Sequence, residues 1–241
     1  MEKREYIKIA EPISHFPTDI NLLRELNNDF WKDWVLYYLL DFYKNYNAQE
    51  LLTIIQNEQT KKFPRTEREL AKYLRKHLKN NIKLNLQGFK VIGEATNDED
   101  IEGNYDMIIL HSYWEDEFYF ECKNLSLNSE KALIKKYIYT KIYPKGQQSK
   151  KDGGVYRYFN GKYAQSQNFG GMLGFVLGDD IQEIKNKIIN DLNEKFDTTP
   201  EGDLKQIHLD SIQSNNFTFD SVHYRKGLNF TLHHILFDFV K

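Results

Sequence analysis

The sequence has few of the residues that mark several large classes of protein. Among its 241 residues there is one cysteine, Cys122, which excludes an internal disulfide and a cysteine-rich zinc module. No apolar run approaches the roughly 18 residues that a membrane-spanning helix requires, and the N-terminal segment MEKREYIKIAEP has no apolar stretch of the kind that a secretory signal needs. We therefore expect a protein that is not integral to a membrane and that works in the reducing cytoplasm.

The sequence also lacks an excess of charge of either sign. Lys and Arg number 33 and Asp and Glu number 35, so the net charge of -2 gives no argument for a nucleic-acid or membrane partner. Hydrophobic residues make up 40% of the chain and aromatic residues 15%, which is enough to form a core and argues against disorder. The length fits one domain with additions, or two small domains.

Hydrophobic spacing predicts an α/β fold. Three- and four-residue spacing predicts helices over residues 20–57, 66–79, 129–139 and 179–196. Strand patterns with turn signals between them fall at residues 83–92, 105–113, 117–125 and 172–177, and twice within 217–240, with an acidic loop at 97–104. Thr66, three residues before Glu69, predicts a capping box at the start of the second helix. The central order is helix, three strands, helix, strand, helix, with additions at both ends.

Local charge is more informative than the total. Residues 61–90 hold ten bases and two acids, residues 92–121 hold ten acids and no Lys or Arg, and residues 141–162 hold six bases and one acid. An acidic centre between basic segments suits a site that cuts a polyanion, because cations bind a phosphate backbone and carboxylates hold a divalent metal. The alternative is a set of ordinary solvated surfaces.

The most specific local pattern is an acid at the start of one apolar strand and an acid-x-lysine at the end of the next. Asp106 opens the strand 105–113, and Glu121 and Lys123 lie on one face of the strand 117–125. If these strands pair as an antiparallel hairpin, Asp106 can lie beside Glu121. Two adjacent carboxylates repel unless a cation lies between them, and their oxygens suit Mg²⁺ or Mn²⁺. Lys123 could then hold or deprotonate the attacking water, or offset charge in the transition state.

Structural alternatives exist for each of these residues. Asp106 could bond the amides of a turn, and Glu121 with Lys123 could form a charge pair on an edge strand. The apolar residues 118–120 favour a central strand, where charges are harder to explain without a role. Cys122 could be the nucleophile of a different hydrolase, but its strand parity turns it toward the core, where an inert thiol is expected.

In this context residues 63–196 resemble the PD-(D/E)XK nuclease superfamily, whose restriction-endonuclease-like core runs helix, three strands, helix, strand. The resemblance is carried by Asp106 and by Glu121-Cys122-Lys123. It implies phosphodiester hydrolysis with Mg²⁺ or Mn²⁺, with Asp106 and Glu121 as metal ligands and Lys123 positioning or activating water. The superfamily often adds an acid from the first helix, and Glu67 is the candidate here. No proline precedes Asp106, a departure at a position that is loose in the superfamily.

The resemblance also implies an organisation and a function. We expect a helical N-terminal extension over residues 1–60, a nuclease core over 61–200 and a C-terminal β addition to the same domain over 201–241. The expected activity is metal-dependent cleavage of DNA, with RNA not excluded, by an effector of a bacterial restriction or antiviral defence system. A partner protein or a homodimer would supply target recognition or activation. The alternative is a catalytically inactive nucleic-acid-binding or assembly protein on the same fold.

Two further groups of residues were considered for function. The segment 153–163 mixes glycine, aromatic and basic residues, so Lys150, Arg157 and Lys162 are predicted to contact the nucleic-acid backbone, with a plain surface loop as the alternative. Among the C-terminal histidines, His233 and His234 are adjacent in a predicted strand and should point to opposite faces. A hydrogen-bonded structural role is favoured for His223 and His234 over a catalytic one.

Overall fold

The computed structural model describes residues 17–93, 96–97, 100–127, 133–142, 150–160, 162–196, 202–209 and 217–239. The first part is helical, with α1 at Ile20–Glu25, α2 at Asn28–Asn45, α3 at Ala48–Gln59, α4 at Thr66–Lys79 and α5 at Ile82–Leu86. The single helix predicted over 20–57 is thus divided into three. The divisions fall at Asn27 and Asn47, because each side chain accepts a hydrogen bond from a backbone amide two or three residues ahead and begins a new helix.

The start of α4 differs in one detail from the prediction. Thr66 is its first helical residue, but Arg65 is the N-cap and forms no capping hydrogen bond through its side chain. The predicted capping box of Thr66 and Glu69 was therefore wrong, because Thr66 lies inside the helix rather than at the capping position. Glu69 instead lies 3.7 Å from Lys72 on the helix surface.

The strand predicted over 83–92 was correct only in its second half. Asn81 accepts a hydrogen bond from the amide of Leu84 and begins the short helix α5. The chain then turns at Gly88, which has a φ of +85°, a conformation that favours glycine. The strand β1 therefore spans only Phe89–Gly93.

Ten further strands, two helices and a short 3-10 helix complete the described chain. The strands are β2 at Thr96–Asn97, β3 at Asp100–Asn104, β4 at Met107–His111, β5 at Phe118–Leu125, β6 at Thr140–Ile142, β7 at Lys150–Asp152, β8 at Phe169–Val176, β9 at Asp203–His208, β10 at Thr218–Arg225 and β11 at Leu228–Asp238. The helices are α6 at Leu133–Ile138, α7 at Ile181–Phe196 and the 3-10 helix at Gly154–Tyr158. Residues 129–132 of the helix predicted over 129–139 lie outside the described residues.

Seven strands form one mixed sheet in the order β1-β4-β5-β8-β11-β10-β9. The three central strands β5, β8 and β11 are parallel to one another, and the strands on either side are antiparallel. The pairs β2-β3 and β6-β7 form two small separate sheets. The predicted acidic loop at 97–104 is thus partly a hairpin. The α/β class predicted from the sequence is confirmed.

The sheet separates two hydrophobic cores. The N-terminal helices α2, α3 and α4 pack on one face, and α6, α7 and the 3-10 helix contribute to the core on the other. Strand β5 feeds both cores: Phe118, Phe120 and Cys122 enter the first, and Tyr119 and Leu125 contact the second. This alternation places Glu121 and Lys123 on the second face. Within the described chain, no helix is long and apolar enough to cross a bilayer.

Candidate active site

The pairing of β4 with β5 brings Asp106 to Glu121. The strands are antiparallel with Met107 opposite Phe120, so the residue before β4 lies beside the residue that follows Phe120 in β5. The backbone amide of Cys122 donates to Oδ2 of Asp106 at 2.7 Å. This hydrogen bond holds the Asp106 carboxyl group at the end of the strand pair. The two acids named from the sequence are therefore neighbours.

Glu121 lies in an almost closed polar pocket. The residue is 1% exposed, and its Oε1 is 2.6 Å from Nζ of Lys123. Its Oε2 accepts a hydrogen bond of 2.8 Å from the hydroxyl of Tyr163, and Nη1 of Arg157 lies 3.4 Å from both oxygens. A buried carboxylate requires such partners, because an unpaired buried charge is very costly.

Lys123 joins the strand pair to helix α4. Its Nζ lies 3.2 Å from Oε1 of Glu67 and donates to the carbonyl of Cys122 at 2.9 Å. The other oxygen of Glu67 accepts from the backbone amide of Asn124 at 3.0 Å. Glu67, the acid expected from the first helix of the core, thus lies at the same end of β5 as Glu121. Its side chain is 38% exposed, so it forms the solvent side of the cluster.

The charge state of Lys123 follows from these contacts. Burial favours its neutral form, but the carboxylates of Glu121 and Glu67 outweigh burial and raise the pKa of Lys123. Lys123 is therefore an ammonium at neutral pH. Of the three roles predicted from the sequence, holding water and offsetting negative charge fit this state, whereas accepting a proton from water does not.

Asp106 is the acid of the cluster whose negative charge is least compensated by its neighbours. Burial, followed by the nearby charge of Glu121, raises the pKa of Asp106 to about 7. Lys123 and the Cys122 amide oppose this change without cancelling it. Three acids, Asp106, Glu121 and Glu67, face two cations, Lys123 and Arg157. A further cation would offset the charge that raises the pKa of Asp106.

The donor set suits a hard divalent ion. Among the described residues, no three His, Cys, Asp or Glu side chains form a metal-binding group by themselves. Mg²⁺ usually takes only one or two carboxylates from a protein and completes its shell with water and substrate phosphates. The carboxylate oxygens of Asp106 and Glu121 meet that requirement, and the excess negative charge favours it.

The residues predicted to contact the nucleic-acid backbone lie around Asp152 and in β7. Arg157 points to Glu121 and also lies 3.4 Å from Asp152, measured from its Nε to Oδ1. Lys162 pairs with the same Asp152, with Nζ 3.1 Å from Oδ2. Both cations therefore have internal carboxylate partners. Lys150 lies in β7, and its side chain is outside the described part of the structure.

Three further residues, Cys122, Tyr163 and Asp152, surround the cluster. Cys122 is fully buried, and burial raises the pKa of its thiol well above the usual value, so the thiol suits a core role rather than a nucleophile. Tyr163 and Asp152 were not identified from the sequence, although they organise Glu121, Arg157 and Lys162. The mixture of aromatic and basic residues in 153–163 was the available signal, but it does not reveal which side chains turn inward.

The assembled residues offer two carboxylates, an ammonium and a guanidinium at the end of one strand pair. Such a group can bind a divalent ion and stabilise negative charge on a phosphate. No protein-family model matches this chain, and no curated protein or solved structure matches it either.

Proposed function

We propose that the chain is a metal-dependent nuclease that hydrolyses phosphodiester bonds, with DNA as the substrate. One observation carries the proposal. Asp106, Glu121 and Lys123 lie together, with Lys123 Nζ 2.6 Å from Glu121 and the Cys122 amide 2.7 Å from Asp106. An edge-strand charge pair would account for Glu121 and Lys123 alone, but not for a third charged group beside them in a nearly closed pocket.

The arrangement of the elements supports the same proposal. Helix α4 is followed by the antiparallel strands β1, β4 and β5, then by α6, by β8 parallel to β5, and by α7. This order resembles the restriction-endonuclease-like core. On this proposal α1–α3 are the N-terminal extension, and β9–β11 are an addition that enlarges the sheet.

In the proposed reaction, Asp106 and Glu121 would hold Mg²⁺ or Mn²⁺ through their carboxylate oxygens. When bound, the ion supplies Lewis-acid stabilisation of the phosphate and a water of lowered pKa. The Lys123 ammonium would donate to the attacking water or to a phosphate oxygen, and it would offset the charge that develops as the new P–O bond forms and the bond to the leaving sugar oxygen breaks. The attacking water loses its proton to solvent, and the leaving oxygen takes up a proton from solvent. Glu67 holds Lys123 in place through the contact of 3.2 Å. Arg157 and Tyr163 fix the orientation of Glu121.

The biological setting is part of the proposal. We propose an effector of a bacterial restriction or antiviral defence system, in which a partner protein or a second copy of the chain directs or activates cutting. The support is that members of the resembled superfamily often act in such systems.

The test is cleavage of plasmid DNA with Mg²⁺ or Mn²⁺ by the wild type and by Asp106→Asn, Glu121→Gln and Lys123→Met. Each variant should lower the cleavage rate at least about 100-fold, because each removes a metal ligand or a charge that stabilises the transition state. Glu115→Gln is the matched control, since Glu115 is an exposed acid in the turn between the same two strands, and it should cut like the wild type. Equal cutting by all five proteins would refute the proposed site.

A second candidate function is favoured by one specific contact pattern. Both oxygens of Glu121 already have partners, from Lys123, Tyr163 and Arg157, as expected for a binding or assembly protein that keeps the fold without catalysis. Calorimetric titration with Mn²⁺ separates the two functions. The nuclease proposal predicts uptake that Glu121→Gln reduces at least about tenfold, whereas the inactive alternative predicts no uptake that depends on Glu121.

A further inference from the structure

The exposed side of α4 carries a row of cations. Arg68, Lys72, Lys76 and Lys79 are all exposed, and their spacing of three or four residues places them along one side of the helix, over about 16 Å. The other side of α4 is fixed in the first hydrophobic core by residues that include Leu70, Leu74 and Leu78. We call this row the α4 cationic face.

The α4 cationic face borders a groove of about 490 Å³. All four cations of the α4 cationic face line the groove, and so does Arg75. Among the described residues lining the groove, Glu69 is the one acid. It lies 3.7 Å from Lys72 with both side chains well exposed, and such a pair contributes little. Among the described lining residues, the groove therefore has five cations and one acid.

This charge requires an explanation, because like charges three or four residues apart destabilise a helix. Of the cations named from the sequence in segment 150–162, Arg157 and Lys162 share the internal partner Asp152, whereas the exposed cations of α4 point to solvent. A polyanion bound along α4 would offset the repulsion. A phosphodiester backbone has the closely spaced negative charges that a row of cations fits.

The groove leads to the candidate active site by two connections. Nη1 of Arg75 donates to the backbone carbonyl of Asp106 at 2.7 Å. The Arg75 side chain passes close over Gly93 at the end of β1, where an added Cβ would lie 2.4 Å from its Nε. Arg68 lines this groove and also a second cleft of about 620 Å³, which contains Glu67 and Asn124. A chain lying along α4 would therefore arrive beside Glu67 and Lys123.

We propose that the α4 cationic face binds the phosphodiester backbone of the nucleic acid and leads it to the site of Asp106, Glu121 and Lys123. This inference rests on the proposed nuclease function for its biological meaning. It assigns the main backbone contacts to α4 rather than to Lys150, Arg157 and Lys162. It can be tested by binding alone, without cleavage.

The test measures fluorescence anisotropy of a labelled 30-base-pair DNA duplex in EDTA, over a series of salt concentrations. The variant is Lys72→Gln/Lys76→Gln. The matched control is Lys44→Gln/Lys187→Gln, which removes the same charge from exposed positions on α2 and α7. The expected result is a Kd at least about tenfold weaker for the α4 variant and a salt slope lower by about 2, since each lost phosphate contact lowers it by about 0.9. The control should match the wild type within about twofold.

Equal weakening by both double variants would overturn the inference, because net charge alone would then explain binding. Single-stranded DNA and duplex RNA of the same length carry the same backbone chemistry. The ratio of the variant's Kd to the wild-type Kd should be the same for these nucleic acids as for duplex DNA. The nucleic acid with the lowest wild-type Kd is the preferred ligand. The inference would also be overturned if the α4 variant lost binding to phosphatidylserine vesicles but bound all three nucleic acids like the wild type. The α4 cationic face would then bind a membrane surface.

The two proposals can fail separately. If the wild type cuts DNA with Mg²⁺ and the α4 variant binds nucleic acid normally, the nuclease function stands and the assigned surface is wrong. If the α4 variant loses binding and the wild type never cuts, the surface stands and the nuclease function is wrong.

Discussion

Acid should destabilise the protein through a buried chain of hydrogen bonds around His223. Nδ1 of His223 lies 2.7 Å from the carbonyl of Gly202 and Nε2 lies 2.8 Å from Oγ of Ser221. Ser221 also lies 2.8 Å from Nε2 of His234, whose Nδ1 lies 2.8 Å from the hydroxyl of Tyr137. A carbonyl can only accept, so His223 donates from Nδ1 and accepts from Ser221 at Nε2. Ser221 then accepts from His234, which accepts from Tyr137.

This proton arrangement requires both histidines to be neutral, and a proton added to either ring removes an acceptor from the chain. Burial lowers the pKa of His223 from 6.5 to about 4, although the Gly202 carbonyl partly opposes it. Because the folded pKa lies below the unfolded value, the contribution to stability is present above pH 6.5 and is lost as the pH falls toward 4. The loss is about 3 kcal/mol at pH 4. Burial also lowers the pKa of His234, which adds loss in the same direction.

The assay is urea denaturation at pH 7 and pH 4 for the wild type and His223→Asn. Asn can keep the donor to the Gly202 carbonyl but has no group that titrates in this range. The pH-dependent loss in the variant should be smaller by about 3 kcal/mol, or about 1 M in urea midpoint for a slope of about 3 kcal/mol per M. Asp106 acts in the opposite direction, because its folded pKa of about 7 lies above the unfolded 3.8, but it acts equally in both proteins and cancels.

His208→Asn is the control, since His208 is exposed on β9. It should show the same pH dependence as the wild type. An equal loss between pH 7 and pH 4 in the wild type and in His223→Asn would refute the assignment of the neutral chain, whatever the absolute stability of the two proteins.

Two further predictions concern buried groups outside the cluster. Arg225→Lys should lower the free energy of unfolding by about 2–3 kcal/mol, because the Arg225 guanidinium donates to four backbone carbonyls in the segment 158–167 and an ammonium cannot reproduce that planar set of donors. Thermal melting measures the change, and an unchanged melting temperature would contradict it. Cys122 should resist iodoacetamide in the native protein and react in 8 M urea, as followed by intact-mass spectrometry. Rapid native labelling with retained activity would show that the strand opens around this fully buried thiol.

The strand pair that carries the site was predictable from local sequence. Residues 107–110 and 118–120 are apolar, a turn lies between them, and period-2 alternation assigns Glu121 and Cys122 to opposite faces. An antiparallel hairpin of these strands places Asp106 beside Glu121, and the hydrogen bond from the Cys122 amide to Asp106 agrees with this pairing. The adjacent residues His233 and His234 likewise face different cores, with His233 near Phe118 and His234 stacked on Phe219.

The helix boundaries were less predictable, although local signals existed. Asn27, Asn47 and Asn81 each cap a helix, and these residues mark the divisions that apolar spacing alone runs through. Apolar residues continue across the breaks because successive helices cover the same face of the sheet. The pattern in 82–92 is ambiguous because α5 and β1 have five residues each. Five residues are too few to distinguish the helical period of 3.6 from the strand period of 2.

The environment of Arg157 could not be predicted from local sequence. Its direction depends on the 3-10 helix at 154–158, which has Gly153 as its N-cap and Gly154 as its first residue, with φ of +83° and +53°. An added Cβ on Gly154 would lie 2.0 Å from the carbonyl oxygen of Tyr137 in α6. The turn therefore fits only against another element of the fold, and that contact, rather than the composition of the segment, brings Arg157 to Glu121.

Helix α4 explains why the basic groove and the acidic cluster occur together. Its buried side fixes the helix on the sheet, its first turn supplies Glu67 to Lys123, and its exposed side supplies the cations. Because the helix is rigid, the distance between the cations and the cluster is set by its rise of about 1.5 Å per residue. From Glu67, the cations at 72, 76 and 79 lie about 7, 13 and 18 Å along the axis. On the proposed function, α4 both attracts the nucleic acid through the groove and places it at the cluster. Replacing the exposed cations of α4 should therefore change the affinity for nucleic acid while leaving the geometry of the cluster intact.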